Sequence, residues 1–333
     1  MRALIPVAGI GTKLRPHTHT QPKPLIPVAG KPILGHIIDN LLQYGVDDMV
    51  FVVGYLREKI TEYVQTHYAG RIKMEFVVQE PRRGLAHALW VAVEHIRQAD
   101  EVLIVLGDTI FGDDTRKILA TEGSVLAVHP VEDPREFGVA VLDSRQYVRR
   151  LAEKPPIPTS NLALVGMYKI SEAPLLVKAL EAMMGKGVAE DQEYPLTDAL
   201  MQMIQLGAQF RVHHVENWFD CGRKQSLLLT NRILLGRMPA DRSYMFPNTV
   251  IIPPVHIAEG CEIKNSIIGP YVAIAEHARI NNSILSNSIL GAYTRLESII
   301  LQGSVIGNDT SLKGKSISIN IGDNAEIDFE QGA

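Results

Sequence analysis

The stretch VAGIGTKLRPHTHTQPKPLIPVAGKP, residues 7–32, overlaps the end of a short apolar run, ALIPV at 3–7. It holds three glycines, five prolines and the cations Lys13, Arg15, Lys23 and Lys31, and it contains no Asp or Glu. An apolar, β-rich run opening into such a loop reads as a strand whose carboxyl end faces an anion. Gly9 and Gly11 permit close backbone approach and aim successive N–H groups at one ligand, while Lys13, Arg15 and Lys23 add positive charge. Two familiar phosphate cradles do not fit. There is no GxxxxGK[ST], which excludes a P-loop, and GIGTKL lacks the third glycine of the dinucleotide fingerprint. Pro6 is compatible with the strand where its missing N–H needs no ladder partner.

Working outward, short β-rich runs alternate with amphipathic stretches up to about residue 235, the pattern of a largely parallel sheet covered by helices. Strands are predicted at 3–7, 49–54, 73–79, 102–107, 124–129, 162–170 and 209–215. Ile33, Ile37, Ile38, Leu41 and Leu42 mark one helical face, and similar faces run through 84–98, 171–184, 195–206 and 224–235. In open α/β sheets ligands bind at the carboxyl ends of strands, so the loops there are the candidate site.

After the Pro- and Gly-bearing segment GRMPADRSYMFPN (236–248) the texture changes. Apolar residues recur every five or six positions: Ile257, Ile263, Ile268, Ile274, Ile280, Leu285, Leu290, Leu296, Leu301, Ile306 and Leu312. The phrases NSIIG, NSIL, NSILG, ESIIL and GSVIG recur with them. So short a repeat reads as hexapeptide-like rungs, about three to a turn, whose inward aliphatics stack along a parallel β-helix. A small β-sandwich would instead bring turn signals every 8–12 residues or so. Residues 251–327 leave room for four or five coils.

Composition narrows the functional classes. The 333-residue chain suggests two unequal domains, and Lys plus Arg at 33 against Asp plus Glu at 37 gives a net charge of −4. No bulk positive field recruits nucleic acid, so an anion must be bound locally. Cys221 and Cys261 form neither a disulfide framework nor a metal set. No apolar run reaches the ~18 residues of a membrane helix, and Met1-Arg2 leading straight into a strand is not expected of a signal peptide. A cytoplasmic location is expected.

AGIGTKLRPHT followed by PKPLIPVAGKP resembles the signature of the sugar-nucleotide pyrophosphorylases, which join a sugar 1-phosphate to a nucleoside triphosphate. QEPRRGLAHAL (79–89), LGD (106–108), EFGV (136–139), EKP (153–155), EYPLTD (193–198) and WFDCG (218–222) follow in the family's order. The chain looks most like glucose-1-phosphate thymidylyltransferase-like enzymes of the long type. The expected fold is therefore α/β: a Rossmann-like, mixed or mostly parallel sheet in a nucleotidyltransferase domain at 1–236, a linker at 237–250, and a left-handed β-helix at 251–333.

The resemblance implies roles residue by residue. Ala8, Gly9, Gly11 and Thr12 would cradle phosphate, with Lys13 on the triphosphate, where the family more often has arginine. Lysine offers a point charge without the bidentate fork. Lys23 would sit on a phosphate near the reaction centre, and Asp108 and Asp220 would carry Mg²⁺, a hard cation that needs few protein carboxylates when phosphates and water complete its shell. Thr109 departs from the asparagine of many relatives. Gln79, Gly84, Leu85 and Ala86 would receive a pyrimidine, so dTTP or UTP is favoured. Gly138, Glu153, Lys154 and Gly166 would bind the sugar phosphate, with glucose 1-phosphate favoured. His87 reads as a packing residue and Asp198 as a helix cap. Alternatives are a mannose-1-phosphate guanylyltransferase, a bifunctional enzyme with amino-sugar-phosphate acetyltransferase activity in the β-helix, and a noncatalytic nucleotide-sugar sensor. His256 and His277 are present in the β-helix, but neither stands out as a base for acetyl transfer. A homo-oligomer built through the β-helix is expected, with no nucleic-acid or membrane partner.

Overall fold

The computed structural model describes residues 1–186, 192–216, 218–239 and 244–314. It divides into two compact units, Met1–Leu234 and the residues from Leu235 onward.

In the first unit nine strands form one mixed sheet: β1 (Arg2–Pro6), β2 (Asp48–Val53), β3 (Lys73–Val78), β4 (Val102–Val105), β5 (Ser124–Pro130), β6 (Gly138–Leu142), β7 (Val148–Glu153), β8 (Leu162–Ile170) and β9 (Phe210–His214). Strands β4, β1, β2 and β3 are adjacent and parallel, with Arg2 opposite both Asp48 and Val102. Beyond β4 the long strand β8 runs antiparallel to β4, β5 and β6. Strands β6 and β7 form an antiparallel hairpin, and β9 runs parallel to β5. Ala3, Leu4 and Ile5 are fully buried, as a central strand covered on both faces requires.

Pro6 meets its constraint. Val7 N donates to Val52 O at 2.8 Å, so alternate residues of β1 face β2, and the N of Pro6 points toward β4, where pairing has ended at Leu4–Ile104. Helices α1 (Ile33–Gln43), α2 (Arg57–Tyr68), α3 (Leu85–Val91), α4 (Val93–Arg97), α5 (Asp114–Ala120), α6 (Ala173–Lys186), α7 (Leu196–Gln205) and α8 (Lys224–Gly236) accompany the sheet. The single helical face expected over 84–98 is two helices, interrupted at Ala92, whose φ of −99° and ψ of 14° leave the helical region. Strands β6 and β7 and helices α2 and α5 are additions to the predicted set. Among the described residues no helix is long and apolar enough to cross a membrane.

The second unit is built from three parallel sheets of four short strands each. Val250, Ile267, Ile284 and Ile300 stack in one column, His256 pairs with Ala273, and Glu262, Arg279, Arg295 and Ser311 stack in another. This is the three-sided coil expected of a left-handed β-helix. The predicted inward aliphatics from Ile257 to Leu296 are buried, while Leu301, Ile306 and Leu312 of the last described coil are half-buried because no described coil covers them. The recurrent Asn-Ser pairs have a mechanical basis. Asn265 and Asn282 take the left-handed conformation at a corner, and the next residue points a hydroxyl inward. Ser266 Oγ accepts from Ser283 N at 3.1 Å, and Ser283 Oγ accepts from Ile299 N at 3.3 Å, which links successive coils. Four coils are described; the expected extension to residue 333 lies, from 315 on, outside the described residues.

Candidate active site

The acid-free loop leaves β1 and folds back immediately. Gly11, at φ 71° and ψ 46°, starts the first of three 3-10 turns in the loop, Thr12–Leu14, and Leu14 N donates to the Gly11 carbonyl at 3.1 Å. Thr18 Oγ1 donates to the same carbonyl at 2.9 Å. A Cβ on Gly11 would lie 2.9 Å from Lys23 Cβ, so only glycine combines this backbone conformation with so close a return of the Lys23 segment. Nothing lies within 4 Å of a Cβ built on Gly9, which leaves the backbone there open. Ala8 is buried, and its carbonyl accepts from Tyr55 N at 3.1 Å, which ties the loop to the end of β2.

Lys23 crosses from this loop to Asp108, at the end of β4, with Nζ 2.5 Å from Oδ2. Asp220 arrives from 112 residues beyond Asp108 through a two-stranded ribbon, Trp218–Asp220 antiparallel to Thr109–Phe111, in which Asp220 pairs with Thr109. Cys221 N donates to Asp108 O at 3.0 Å, which fastens the two carboxylate-bearing segments together. Thr109, the departure from expectation, is buried and donates Oγ1 to Asp108 Oδ1 at 3.3 Å.

The electrostatics follow from this crowding. Burial opposes the Lys23 ammonium, but the Asp108 charge and hydrogen bond outweigh it, with help from Asp220, and its pKa lies above the ordinary lysine value. Burial likewise opposes the Asp108 carboxylate, and Lys23 reverses the sign, holding it below the usual range. Asp220 is pushed up, by burial first and then by the like charge of Asp108. Cys221, fully buried, is pushed up to about 12 by burial and is an inert thiol at neutral pH. One lysine thus serves two carboxylates, and the residual negative charge at Asp220 is the kind a divalent cation relieves. Among the described residues no group of three or more His, Cys, Asp or Glu forms a metal cage. Two hard carboxylates fit Mg²⁺, which keeps water and phosphate oxygens as its other ligands.

The residues expected to receive a base come together at the start of α3. Gln79 is buried, and its Nε2 donates to Gly84 O at 2.8 Å and lies 3.1 Å from His87 Nδ1. The amide nitrogen is therefore spent on shaping the pocket, and Oε1 is the group left for a ligand. Gly84 has φ 87° and ψ −179°, and its neighbour Ala86 donates N–H to Tyr194 O at 2.9 Å. Tyr194, from the EYPLTD segment, also donates N–H to Arg83 O at 2.9 Å and stacks beside His87 with ring centroids 6.4 Å apart.

The expected sugar-phosphate residues sit on the mixed half of the sheet. Gly138 and Glu153 are register partners in the β6–β7 hairpin, and Thr197 Oγ1 donates to Glu153 Oε2 at 3.1 Å. Lys154, exposed and at φ 40°, lies with Nζ 3.7 Å from Glu153 Oε1. Gly166 falls at the irregularity in β8 where its pairing with β5 shifts, and its carbonyl accepts from Leu106 N at 2.8 Å, beside Asp108. Buried Tyr168 is raised by burial and by the charges of Glu153 and Asp108, so the sugar side and the carboxylate pair share one electrostatic neighbourhood. Asp198 does not cap α7. Pro195 occupies the cap position, and Asp198 lies within the first turn, its pKa raised by burial. Tyr194 and Thr197 lie inside the EYPLTD string and Glu136 opens the EFGV string, so each was marked by its motif. Arg223, one residue past WFDCG, carried no such signal.

The nucleotidyl transferase family model matches residues 2–236, the whole span that carries this site. The chain belongs to the nucleotidyl transferase family. It is 38% identical over 320 residues to the bifunctional protein GlmU of Methanocaldococcus jannaschii, covering 96% of this chain and 74% of that one. It is 32% identical over 326 residues to a glucose-1-phosphate thymidylyltransferase of Streptomyces griseus, covering 96% and 89%. A low-salt glycan biosynthesis nucleotidyltransferase, Agl11 of Haloferax volcanii, is 32% identical over 71% of the chain. In fold the chain resembles the crystal structure of a putative glucose-1-phosphate thymidylyltransferase from Bacillus anthracis, with a TM-score of 0.62, 24% identity, and coverage of 74% of this chain and 97% of that one. The protein is a nucleotidyltransferase.

Proposed function

We propose that the enzyme transfers a nucleotidyl group from a nucleoside triphosphate, dTTP or UTP in preference, to a sugar 1-phosphate, glucose 1-phosphate in preference, releasing pyrophosphate. The observation that carries this is the cluster of Lys23, Asp108 and Asp220 beside an acid-free glycine loop at the carboxyl ends of parallel strands. A phosphate oxygen of the sugar phosphate attacks the α-phosphorus, and the bond to the pyrophosphate oxygen breaks. The nucleophile requires no strong base, because phosphate monoesters have a second pKa near ~6 and are mostly dianionic at pH 7. Positioning and charge neutralisation therefore dominate.

The Gly9–Thr12 backbone and Lys13 hold the triphosphate, and Lys23 neutralises phosphate next to the reacting centre. Asp108 and Asp220 would hold Mg²⁺, which supplies charge neutralisation and alignment of the phosphates when bound. Gln79 and the Gly84–Ala86 backbone receive the base, and Glu153, with Thr197 behind it, accepts from sugar hydroxyls while Lys154 meets the sugar's phosphate. A thymine methyl is worth only about 1–3 kcal/mol in an apolar pocket, so UTP is a substrate alongside dTTP.

The test is pyrophosphate release with Mg²⁺ over a grid of dTTP, UTP, CTP, GTP and ATP against glucose, galactose, mannose and glucosamine 1-phosphates. Activity with dTTP or UTP and glucose 1-phosphate supports the reading. Activity only with GTP and mannose 1-phosphate overturns the base assignment, and nucleotide binding without turnover favours a sensor. A second reading is favoured by the 38% match that runs through both units to a bifunctional protein: acetyl transfer to an amino-sugar phosphate by the β-helix. Consumption of acetyl-CoA with glucosamine 1-phosphate as acceptor decides it. Assembly through the β-helix is supported by its exposed aliphatic column, Val250, Ile267, Ile284 and Ile300, and a monomer by light scattering would refute it.

A further inference from the structure

One carboxylate ties together three segments around the candidate site. Glu136 ends the 3-10 turn Pro134–Glu136, just ahead of Gly138. Its Oε2 accepts from Lys13 Nζ at 2.9 Å, and both of its oxygens accept from Arg223 Nη2. Lys13 belongs to the phosphate loop, and Arg223 follows Asp220 on the segment that delivers it. Neighbouring Arg135 is committed elsewhere, to Asp133 at 2.6 Å.

Three features make this more than a surface ion pair. Two cations from the two segments that frame the reacting phosphates converge on a single anion. Arg223 meets both Glu136 oxygens through Nη2 alone, which leaves the rest of its planar donor set for the fork by which a guanidinium grips a phosphate. The three side chains are also half exposed, at 60% for Lys13, 52% for Glu136 and 51% for Arg223, so solvent screens the pairs and a more highly charged anion displaces the carboxylate at small cost. The two cations hold the Glu136 carboxyl below the usual carboxylate range.

We propose that Arg223 is a second cationic ligand, with Lys13, for the part of the triphosphate that leaves as pyrophosphate, and that Glu136 is an internal anion occupying both cations until the triphosphate displaces it. Arg223 supplies the planar fork that Lys13 lacks. The inference rests on the nucleotidyl-transfer reading of the site and is independent of which base and sugar the enzyme takes.

The experiment is isothermal titration of the full chain with inorganic tripolyphosphate, with and without Mg²⁺, for wild type, Glu136→Gln, Arg223→Gln and the double variant. Glu136→Gln binds about two- to fivefold more tightly, the factor corresponding to release of an exposed ion pair. Arg223→Gln binds about tenfold more weakly, and Arg223→Lys recovers part of the loss. In the double variant the gain from removing Glu136 shrinks, because one of its two captive cations is gone. In turnover with the active substrate pair, KM for the triphosphate moves in the same directions, while KM for the sugar phosphate does not.

Weaker binding by Glu136→Gln would make the carboxylate a structural brace and overturn the proposal, and Glu136→Ala repeats that test. Unchanged binding by Arg223→Gln would remove it as a phosphate ligand. Because tripolyphosphate carries neither base nor sugar, a substrate grid that points to another nucleotide refutes the specificity reading and leaves this result standing. Absence of tripolyphosphate binding by wild type overturns both.

Discussion

Gly84→Ala is the substitution whose cost the structure allows to be worked out. Gly84 sits at φ 87° and ψ −179°, a region of backbone space that is essentially glycine-only and costs a residue with a Cβ of order 1–3 kcal/mol. The new methyl would also lie 2.7 Å from Tyr194 O and 2.8 Å from Tyr194 N, backbone atoms with no flexible end to swing away. Relieving that overlap pushes apart the hydrogen bond from Ala86 N to Tyr194 O, worth about 1 kcal/mol. Together these give about 2–4 kcal/mol, large against a typical stability of about 5–15 kcal/mol yet short of unfolding the chain. Gly123→Ala is the control: its φ is 80°, but nothing lies within 4 Å of its Cβ, so it carries conformational strain without the contact. The assay is urea denaturation followed through the catalytic unit, together with KM for the triphosphate. Gly84→Ala lowers the midpoint at least twice as far as Gly123→Ala and raises KM for the triphosphate, because the Gly84 carbonyl also orients Gln79. Equal midpoints and an unchanged KM would refute the packing argument.

Asp108→Asn and Asp220→Asn each abolish Mg²⁺-dependent turnover while leaving the circular dichroism of the folded chain intact; full activity in either would end the metal assignment. The Asp220 carboxyl, followed by carbon NMR, titrates above the ordinary aspartate range in wild type and falls toward it in Asp108→Asn, which removes the like charge. Because the folded value is the higher one, the stability linked to the Asp220 proton is present below the unfolded value and is lost as pH rises through the folded value. An Asp220 titration unmoved by Asp108→Asn would show that the two carboxylates do not interact. In the β-helix, Ser283→Ala removes the hydroxyl that accepts from the half-buried Ile299 N–H and costs about 1 kcal/mol, read as a lower melting temperature of that unit.

What was legible in the sequence was whatever repeats or lies contiguous in it. The β-helix could be read almost rung by rung, since each coil presents the same inward aliphatic column and successive coils repeat the left-handed corner of Asn265-Ser266 and Asn282-Ser283. The parallel half of the main sheet was legible because buried strands such as β1, β2 and β4 are continuous apolar runs. The β6–β7 hairpin escaped because Arg149 and Arg150 interrupt the alternation at a bulge between Val148 and Arg150. Helix α2 escaped because only Ile60, Val64 and Tyr68 are buried, a stripe one residue wide. The same contrast divides the site. Cations and glycines of the opening loop announced an anion through the absence of nearby acid, yet the structure shows that the loop is not left uncompensated. Its two chief lysines are each met by a carboxylate from far along the chain, Lys23 by Asp108 and Lys13 by Glu136. The two pairs differ in kind. Lys23 is largely buried, its side chain 15% exposed beside an Asp108 that is 37% exposed, so that pair costs more to break, whereas Lys13 and Glu136, at 60% and 52%, are screened by solvent and exchange partners cheaply. Which lysine meets its carboxylate in a shielded setting and which meets it in solvent depends on burial around residues more than eighty positions apart, and a motif string does not encode burial.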